Sequence, residues 1–175
     1  MPAPIPVELS PHDPAWIEAA RLAAAQLQAA VPAIIAVHHI GSTAIPGIRA
    51  KPILDLMPVV RRLADLDPAR AAIEGLGYAW WGEYGIPGRR YCTKSDPATG
   101  RRMIHLHGFE DGSRQAMRHL AFRDYLRAHP DLARAYEAEK MRCRGLHPRD
   151  SHAYTDCKAV WIRAVEADAL AKLRR

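Results

Sequence analysis

The sequence predicts an α+β fold: a mixed sheet of four to five strands with helices packed against it and a helical C-terminal third. Three patterns carry that expectation. Two short β-branched runs, 33–40 and 52–60, flank a turn-rich segment; residues 78–109 read as strands around a hairpin loop; and after Gly112 the pattern is helical to the end. A chain of 175 residues holds one sizeable core, so a single domain over 1–175 is expected.

The opening segment is proline-rich and extended as far as Pro14. Asp13-Pro14 starts a helix, with Asp as cap and Pro at the first position. Trp16, Ala20, Ala23 and Leu27 recur at helical spacing as a core stripe, and Pro32 ends it. The run 33–40 reads as a buried strand. It enters Gly41-Ser42-Thr43-Ala44-Ile45-Pro46-Gly47, where Gly and Pro leave room for at most one helical turn. A second strand covers 52–60, and Asp67-Pro68 starts a helix that ends near Gly75 and Gly77. Strands follow at 78–81, 89–94 and 101–109, with the loop 95–100 between the last two. Helices are expected at 113–128, 130–144 and 151–174, started by Ser113, His129-Pro130 and Ser151.

Composition excludes several classes. An apolar fraction of 49% rules out a disordered chain. Basic residues number 25 against 19 acidic, a net +6, and 20 of the 25 are Arg, which suits bidentate contact with phosphate or carboxylate; a solvated basic surface gives the same count. Cys92, Cys143 and Cys157 show no CxxC spacing, so neither a disulfide framework nor a Cys-type zinc site is expected. The N-terminus lacks the basic and apolar regions of a signal peptide, and no apolar stretch is long enough to span a bilayer. We therefore expect a cytoplasmic protein with no membrane partner.

The segment between the first two strands carries the chemistry. Glycine allows close backbone approach, and turn N–H groups beside a hydroxyl, here Gly41 and Ser42, can hold phosphate oxygens. Separated from Ser42 by twelve residues, Asp55 stands in Pro52-Ile53-Leu54-Asp55-Leu56-Met57-Pro58-Val59-Val60, where every other residue is apolar. A carboxylate there is costly unless it is paired, ligated to metal or placed at an exposed strand end. Gly-Ser alone is a common turn dipeptide; the isolated acid makes the pair a candidate catalytic element.

The stretch from His39-Ile40-Gly41-Ser42 through Arg49-Ala50-Lys51-Pro52 to Asp55-Leu56 resembles the signature of the GrpB family. Phe122-Arg123-Asp124-Tyr125-Leu126-Arg127 and the two Tyr-x3-Lys pairs, Tyr136/Lys140 and Tyr154/Lys158, extend the resemblance over nearly the whole chain. It implies a fold similar to the nucleotidyltransferase superfamily that includes polymerase β. That superfamily's hallmark is Gly-Ser, then an Asp-x-Asp/Glu strand, then a third carboxylate. Members of the GrpB family are sometimes fused to dephospho-CoA kinase. Two departures stand out: Met57 occupies the position of the second acid, and the strand expected to give the third offers His105 and His107. Two-metal transfer requires carboxylates that hold ions roughly 3.5–4 Å apart, whereas imidazole favours transition ions.

His105 and His107 are two apart on a strand and share a face. If Asp55 faces them, the three form a metal site, with His39 as a further ligand and His38 pointing away. A merely polar, hydrogen-bonded His-x-His face is the alternative. Arg49 and Lys51 flank the turn as phosphate-neutralising candidates. Arg90 and Arg102 are the inward candidates of the Arg89-Arg90 and Arg101-Arg102 pairs, although such pairs are commonly surface. Lys140 and Lys158, with Arg123, either converge on an anion or pair with carboxylates such as Asp124. No nucleophile elbow or triad is present, and the basic residues lack the aromatic interleaving of a single-strand nucleic-acid surface.

The expectation is a nucleotidyltransferase-like protein that binds a nucleotide or other phosphorylated small molecule and transfers a nucleotidyl or phosphoryl group. Ser42 and Asp55 are its catalytic candidates. Gly41, Ser42, Arg49, Lys51, Arg123, Lys140 and Lys158 would hold the anion. Asp55, His105 and His107 would hold a divalent metal, Mg²⁺ or, with imidazole ligands, a transition ion such as Zn²⁺. A catalytically inactive binding module of the same fold and a transition-metal protein are the alternatives.

Overall fold

The computed structural model describes residues 4–173. In chain order it has α1 (Ala15–Ala30), β1 (Ile34–Ile40), a 3-10 turn (Ser42–Ala44), β2 (Leu54–Val60), a second 3-10 turn (Leu63–Leu66) and α2 (Arg70–Gly75). Then come β3 (Tyr78–Gly82), β4 (Arg90–Ser95), β5 (Arg102–Glu110), α3 (Arg114–Ala128), α4 (Pro130–Leu146) and α5 (Ser151–Leu173). The strands form one sheet in the order β1-β2-β5-β4-β3. Only β2 and β5 run parallel, so the expected mixed sheet and helical last third are both present.

The two faces of the sheet have separate tasks. On one, the α1 stripe of Trp16, Ala20, Ala23 and Leu27 packs on Leu54, Leu56, Val60, Ile104 and Leu106. On the other, Ile40, Met57, Val59 and Phe109 meet Ala116 of α3. Because side chains alternate along a strand, Asp55 shares the second face with Met57 and Val59, toward α3. A third cluster joins the turn after β1 to the C-terminal helices, with Ile45 and Ile48 against Phe122, Tyr136 and Val165.

Local chemistry explains several boundaries. Asp13 Oδ1 accepts the Ala15 N–H at 2.9 Å just ahead of α1, which starts at Ala15 with Pro14, not the expected Asp13, in the N-cap position. Asp67 does not cap a long helix: Arg90 grips its carboxylate, with Nη2 donating at 2.8 Å, and α2 is reduced to six residues behind a 3-10 turn. At α5 the cap is Asp150, which accepts from His152 and Ala153 N–H at 2.9 and 3.0 Å, while Ser151 Oγ accepts from Ile5 N–H instead. The first strand is not buried. It is a sheet edge whose central residues are half-exposed.

The cysteines correct another expectation. Cys143 of α4 and Cys157 of α5 form a disulfide, and the odd residue, Cys92, is buried and free. The pair is separated by 14 residues across two helices, a proximity set by packing and invisible in the spacing. Among the described residues no helix is long and apolar enough to cross a membrane.

Candidate functional site

Asp55 sits where three strands converge. Antiparallel pairing sets it opposite Ile40, the last residue of β1, and parallel pairing sets it beside His105 of β5. Gly41 follows with φ +70°, and a Cβ built on it would lie 2.4 Å from Asp55 Oδ2. Only glycine combines that backbone with that approach. The turn therefore closes directly over the carboxylate.

Both histidines face the acid. His105 Nδ1 and His107 Nε2 each lie 3.2 Å from Asp55 Oδ1. Ligand atoms of the three residues fall within 4.8 Å of one another. Burial raises the carboxyl's pKa, but the hydrogen bonds and charges of the two imidazoles outweigh it and hold Asp55 well below the ordinary aspartate value. Burial also lowers His105, against the opposing pull of Asp55. Tyr91, paired with His107 across β4–β5, places its ring 5.7 Å from His105 and 5.3 Å from His107.

Arg89 was not anticipated as the inward member of its pair; Arg90 was. Arg89 is 5% exposed, and its guanidinium stacks 4.6 Å from the Tyr91 ring centroid. It donates to the Tyr84 carbonyl at 2.7 Å, and its Nη1 lies 3.5 Å from His107 Nδ1. Since guanidinium only donates, this contact favours the His107 tautomer with its proton on Nε2, toward Asp55. Arg90 is turned outward by Asp67.

Above this floor opens a cavity of about 780 Å³, bounded by the sheet, the 41–43 turn and α3 to α5. Its cationic wall comes from Lys51, Lys140 and Lys158, with Arg102 alongside. Lys51 and Lys158 stand 5.7 and 5.0 Å from the Tyr154 ring centroid, and Lys140 stands 4.8 Å from that of Tyr136. Among the described residues none of the three lysines forms an ion pair. Burial, reinforced by the charge of Lys158, pushes Lys140 down to about 7, and its Nζ donates to the Arg49 carbonyl. Burial lowers Lys51 and Lys158 as well, while Asp55 opposes the shift in both. The three lysines therefore line the cavity, and among the described residues none of them pairs with a carboxylate such as Asp124. That acid is held by Arg123. Ser42 also faces the cavity, its hydroxyl donating to Tyr136 Oη at 3.3 Å.

Three sequence candidates lie elsewhere. Arg49 is exposed and turned to Glu137, with the Arg49 N–H donating to Glu137 Oε1 at 2.7 Å. Arg123 donates to the His39 carbonyl at 3.0 Å and to Asp124, so it braces the end of β1 outside the cavity lining. His39 pairs in register with Leu56, on the α1 face, and its Nε2 meets Thr43 Oγ1 at 2.8 Å; it does not join the acid. Burial pushes its pKa down to about 4. His38, expected to point away, shares the Asp55 face by register but stands opposite Met57. Sequence reasoning also missed His119, whose ring is 5.9 Å from that of His107. A lone helical histidine gives no signal of which side it faces.

The chain matches the GrpB protein family over residues 6–168. It belongs to that family. It is 42% identical over 138 residues to the UPF0157 protein YqkA of Bacillus subtilis, a match covering 79% of this chain but only 39% of that protein. The crystal structure of conserved protein GrpB from Enterococcus faecalis superposes with a TM-score of 0.88 at 34% identity, covering 96% of this chain and 100% of that one. A protein of Mycolicibacterium paratuberculosis named dephospho-CoA kinase is 30% identical over 181 residues, which is 90% of this chain and 44% of that protein.

Proposed function

We propose that the chain binds a nucleotide or another phosphorylated small molecule, its phosphate groups against Lys51, Lys140 and Lys158 and its reacting phosphate beside a transition-metal ion held by Asp55, His105 and His107. The observation that supports this is the opposition of unpaired lysines to a one-acid, two-imidazole cluster across one cavity. The polymerase-type pair of Mg²⁺ ions does not fit this donor set. Met57, in the second acid's place, is 0% exposed in the α3-side core, and two of the three donors are imidazoles. The donor types fit one ion of the zinc class, whose binding at His107 would require the Nε2 proton to leave, and the chemistry it would supply there is polarisation of a phosphoryl oxygen.

The protein's own groups do the rest. Ammonium groups offset charge that develops on transferring phosphate oxygens. Gly41 and Ser42 bring backbone and hydroxyl to the same mouth of the cavity. The match to a protein named dephospho-CoA kinase adds support for a phosphorylated ligand class and nothing about the reaction, since less than half of that protein is covered.

A second reading is binding without turnover, on the same pocket. The buried Met57 favours it, as does Arg89, whose donor faces His107 Nδ1 where a metal-ligating imidazole usually donates outward to an acceptor. A thermal-shift panel separates the two: ATP and pyrophosphate, each with Mg²⁺, Mn²⁺ or Zn²⁺, on wild type and Asp55→Ala. Zinc-dependent stabilisation lost in Asp55→Ala, with phosphate or pyrophosphate released, supports metal-assisted transfer. Stabilisation without release supports the binding module, and no stabilisation by any anion contradicts both.

A further inference from the structure

The same two helices that bring Lys140 and Lys158 to the cavity are joined covalently one turn away. Cys143 lies three residues beyond Lys140 on α4, and Cys157 directly precedes Lys158 on α5. Elsewhere the pair of helices is held by Tyr136 stacked on Trp161, ring centroids 5.1 Å apart. The disulfide closes the other end of their contact, where Cys143 and Tyr154 share a small core with Val7.

We propose that Cys143 and Cys157 form a redox-active pair that sets the spacing of the Lys140 and Lys158 ammonium groups, so that the oxidised chain binds phosphate groups and the reduced chain binds them weakly. This deepens the phosphate reading of the cavity and rests on it. The Lys140 and Lys158 ammonium groups repel each other across α4 and α5, and the bond opposes that repulsion. With the bond open, α4 and α5 keep only non-covalent contacts, the Tyr136–Trp161 stack with Ala133 and Val165 beside it and the small core around Tyr154. The ligand must then draw the lysines together at the expense of its own binding.

The chemistry around the sulfurs fits exchange better than metal binding. Glu139, Cys143 and Cys157 have the residue types of a metal cluster. However, Arg142 fills that space: it forks onto Glu139 at 2.7 and 2.8 Å, and its Nη2 lies 3.5 Å from Cys143 Sγ and 3.4 Å from Cys157 Sγ. The guanidinium repels a cation and favours a thiolate, against the opposing charge of the Glu139 carboxylate, whose Oε1 lies 3.6 Å from Cys143 Sγ. Cys143 is 0% exposed, whereas Cys157 is half-buried, so an incoming thiolate reaches the Cys157 sulfur. Attack there forms a mixed disulfide at Cys157 and releases the Cys143 thiolate beside Arg142. A second thiol then displaces Cys157. Two electrons come from the two external thiols, which leave as their own disulfide, and two protons end on Cys143 and Cys157. Cys92 stays out of the exchange because burial pushes its thiol up to about 12.

The test uses the wild-type chain equilibrated in dithiothreitol buffers of graded redox ratio. Alkylation read by mass spectrometry follows the cysteines, and acetic anhydride labelling follows Lys140 and Lys158. Pyrophosphate binding is titrated in the two end states. Cys143→Ala/Cys157→Ala serves as a bond-free reference, and wild type under reduction covers the case in which that variant fails to fold. The expected results are a paired two-electron transition of Cys143 and Cys157, a change in lysine labelling across it, and about tenfold weaker pyrophosphate binding once reduced. By reciprocity, saturating pyrophosphate then makes the bond about 30 mV harder to reduce. Free thiols at both positions under full oxidation overturn the proposal, and so does a transition that leaves lysine labelling unchanged. Absence of pyrophosphate binding in both states counts against the phosphate reading, and the lysine labelling still decides whether the bond controls the cavity.

Discussion

Gly41 and Asp55 are in mutual contact: the hydrogen of the glycine occupies a space in which a methyl group would stand 2.4 Å from the carboxylate oxygen, on a backbone with φ +70°. The turn that would receive phosphate and the acid that would hold metal are therefore one packed unit. A change at either residue displaces the other.

Gly41→Ala should lower stability by about 1–3 kcal/mol from the left-handed backbone alone, with the clash adding to it. Chemical denaturation measures the cost. Metal affinity should fall with it, because Asp55 must move away from His105 and His107. An alanine variant with unchanged midpoint and metal content would show that the turn does not press on the acid.

Asp55→Asn retains the side-chain shape and removes the charge. Zinc affinity, followed by competition with a chromogenic chelator, should fall by more than about tenfold. In EDTA the sign reverses for anions: the carboxylate faces Lys158, so its neutralisation should tighten pyrophosphate binding. Weaker binding in EDTA would mean that the acid contributes to the anion site by some route other than metal.

Lys140 gives the pH dependence. Its folded pKa of about 7 lies below the ordinary lysine value of 10.5, so between those limits the unfolded chain carries the extra proton. Stability should therefore rise as pH rises from about 7 toward 10, by the sign of the proton difference. Lys140→Met should shrink that rise. Anion binding runs the other way: it needs the charged amine, so affinity should fall above pH 7 and binding at pH 8 should take up protons. Calorimetry in buffers of different ionisation heat measures the uptake, and none would be seen if Lys140 does not touch the ligand.

Reduction of Cys143–Cys157 should cost about 2–4 kcal/mol, the usual worth of closing a loop of this size. Thermal melts with and without a phosphine reductant check it, with Cys143→Ala/Cys157→Ala matching the reduced protein. Equal melting temperatures would mean that the helices are held by Tyr136–Trp161 and the core alone.

The sheet was legible because its strands carry period-two or continuous β-branched patterns bounded by Gly and Pro, as at 33–40 and 52–60. Asp55 was legible as the one charge in an apolar run, and His105 with His107 through their shared parity. Facing was harder. The direction of Lys140 and Lys158 depends on how α4 and α5 roll against α3 and against each other. Arg89 turned inward instead of Arg90 because Asp67, twenty-odd residues earlier, captures Arg90. His39 was lost to the other face because β1 pairs it with Leu56. The disulfide lay beyond reach for the same reason: its two cysteines are brought together only by the packing of two helices.

The most direct measurement is calorimetric titration of pyrophosphate into oxidised protein at pH 7, on wild type and on Lys158→Met. Saturable one-site binding is expected, weakened by about tenfold or more when that single ammonium is removed, an effect of the size of one charge-assisted contact. Identical binding in the two proteins, or none in wild type, would contradict an anion site on the lysine wall.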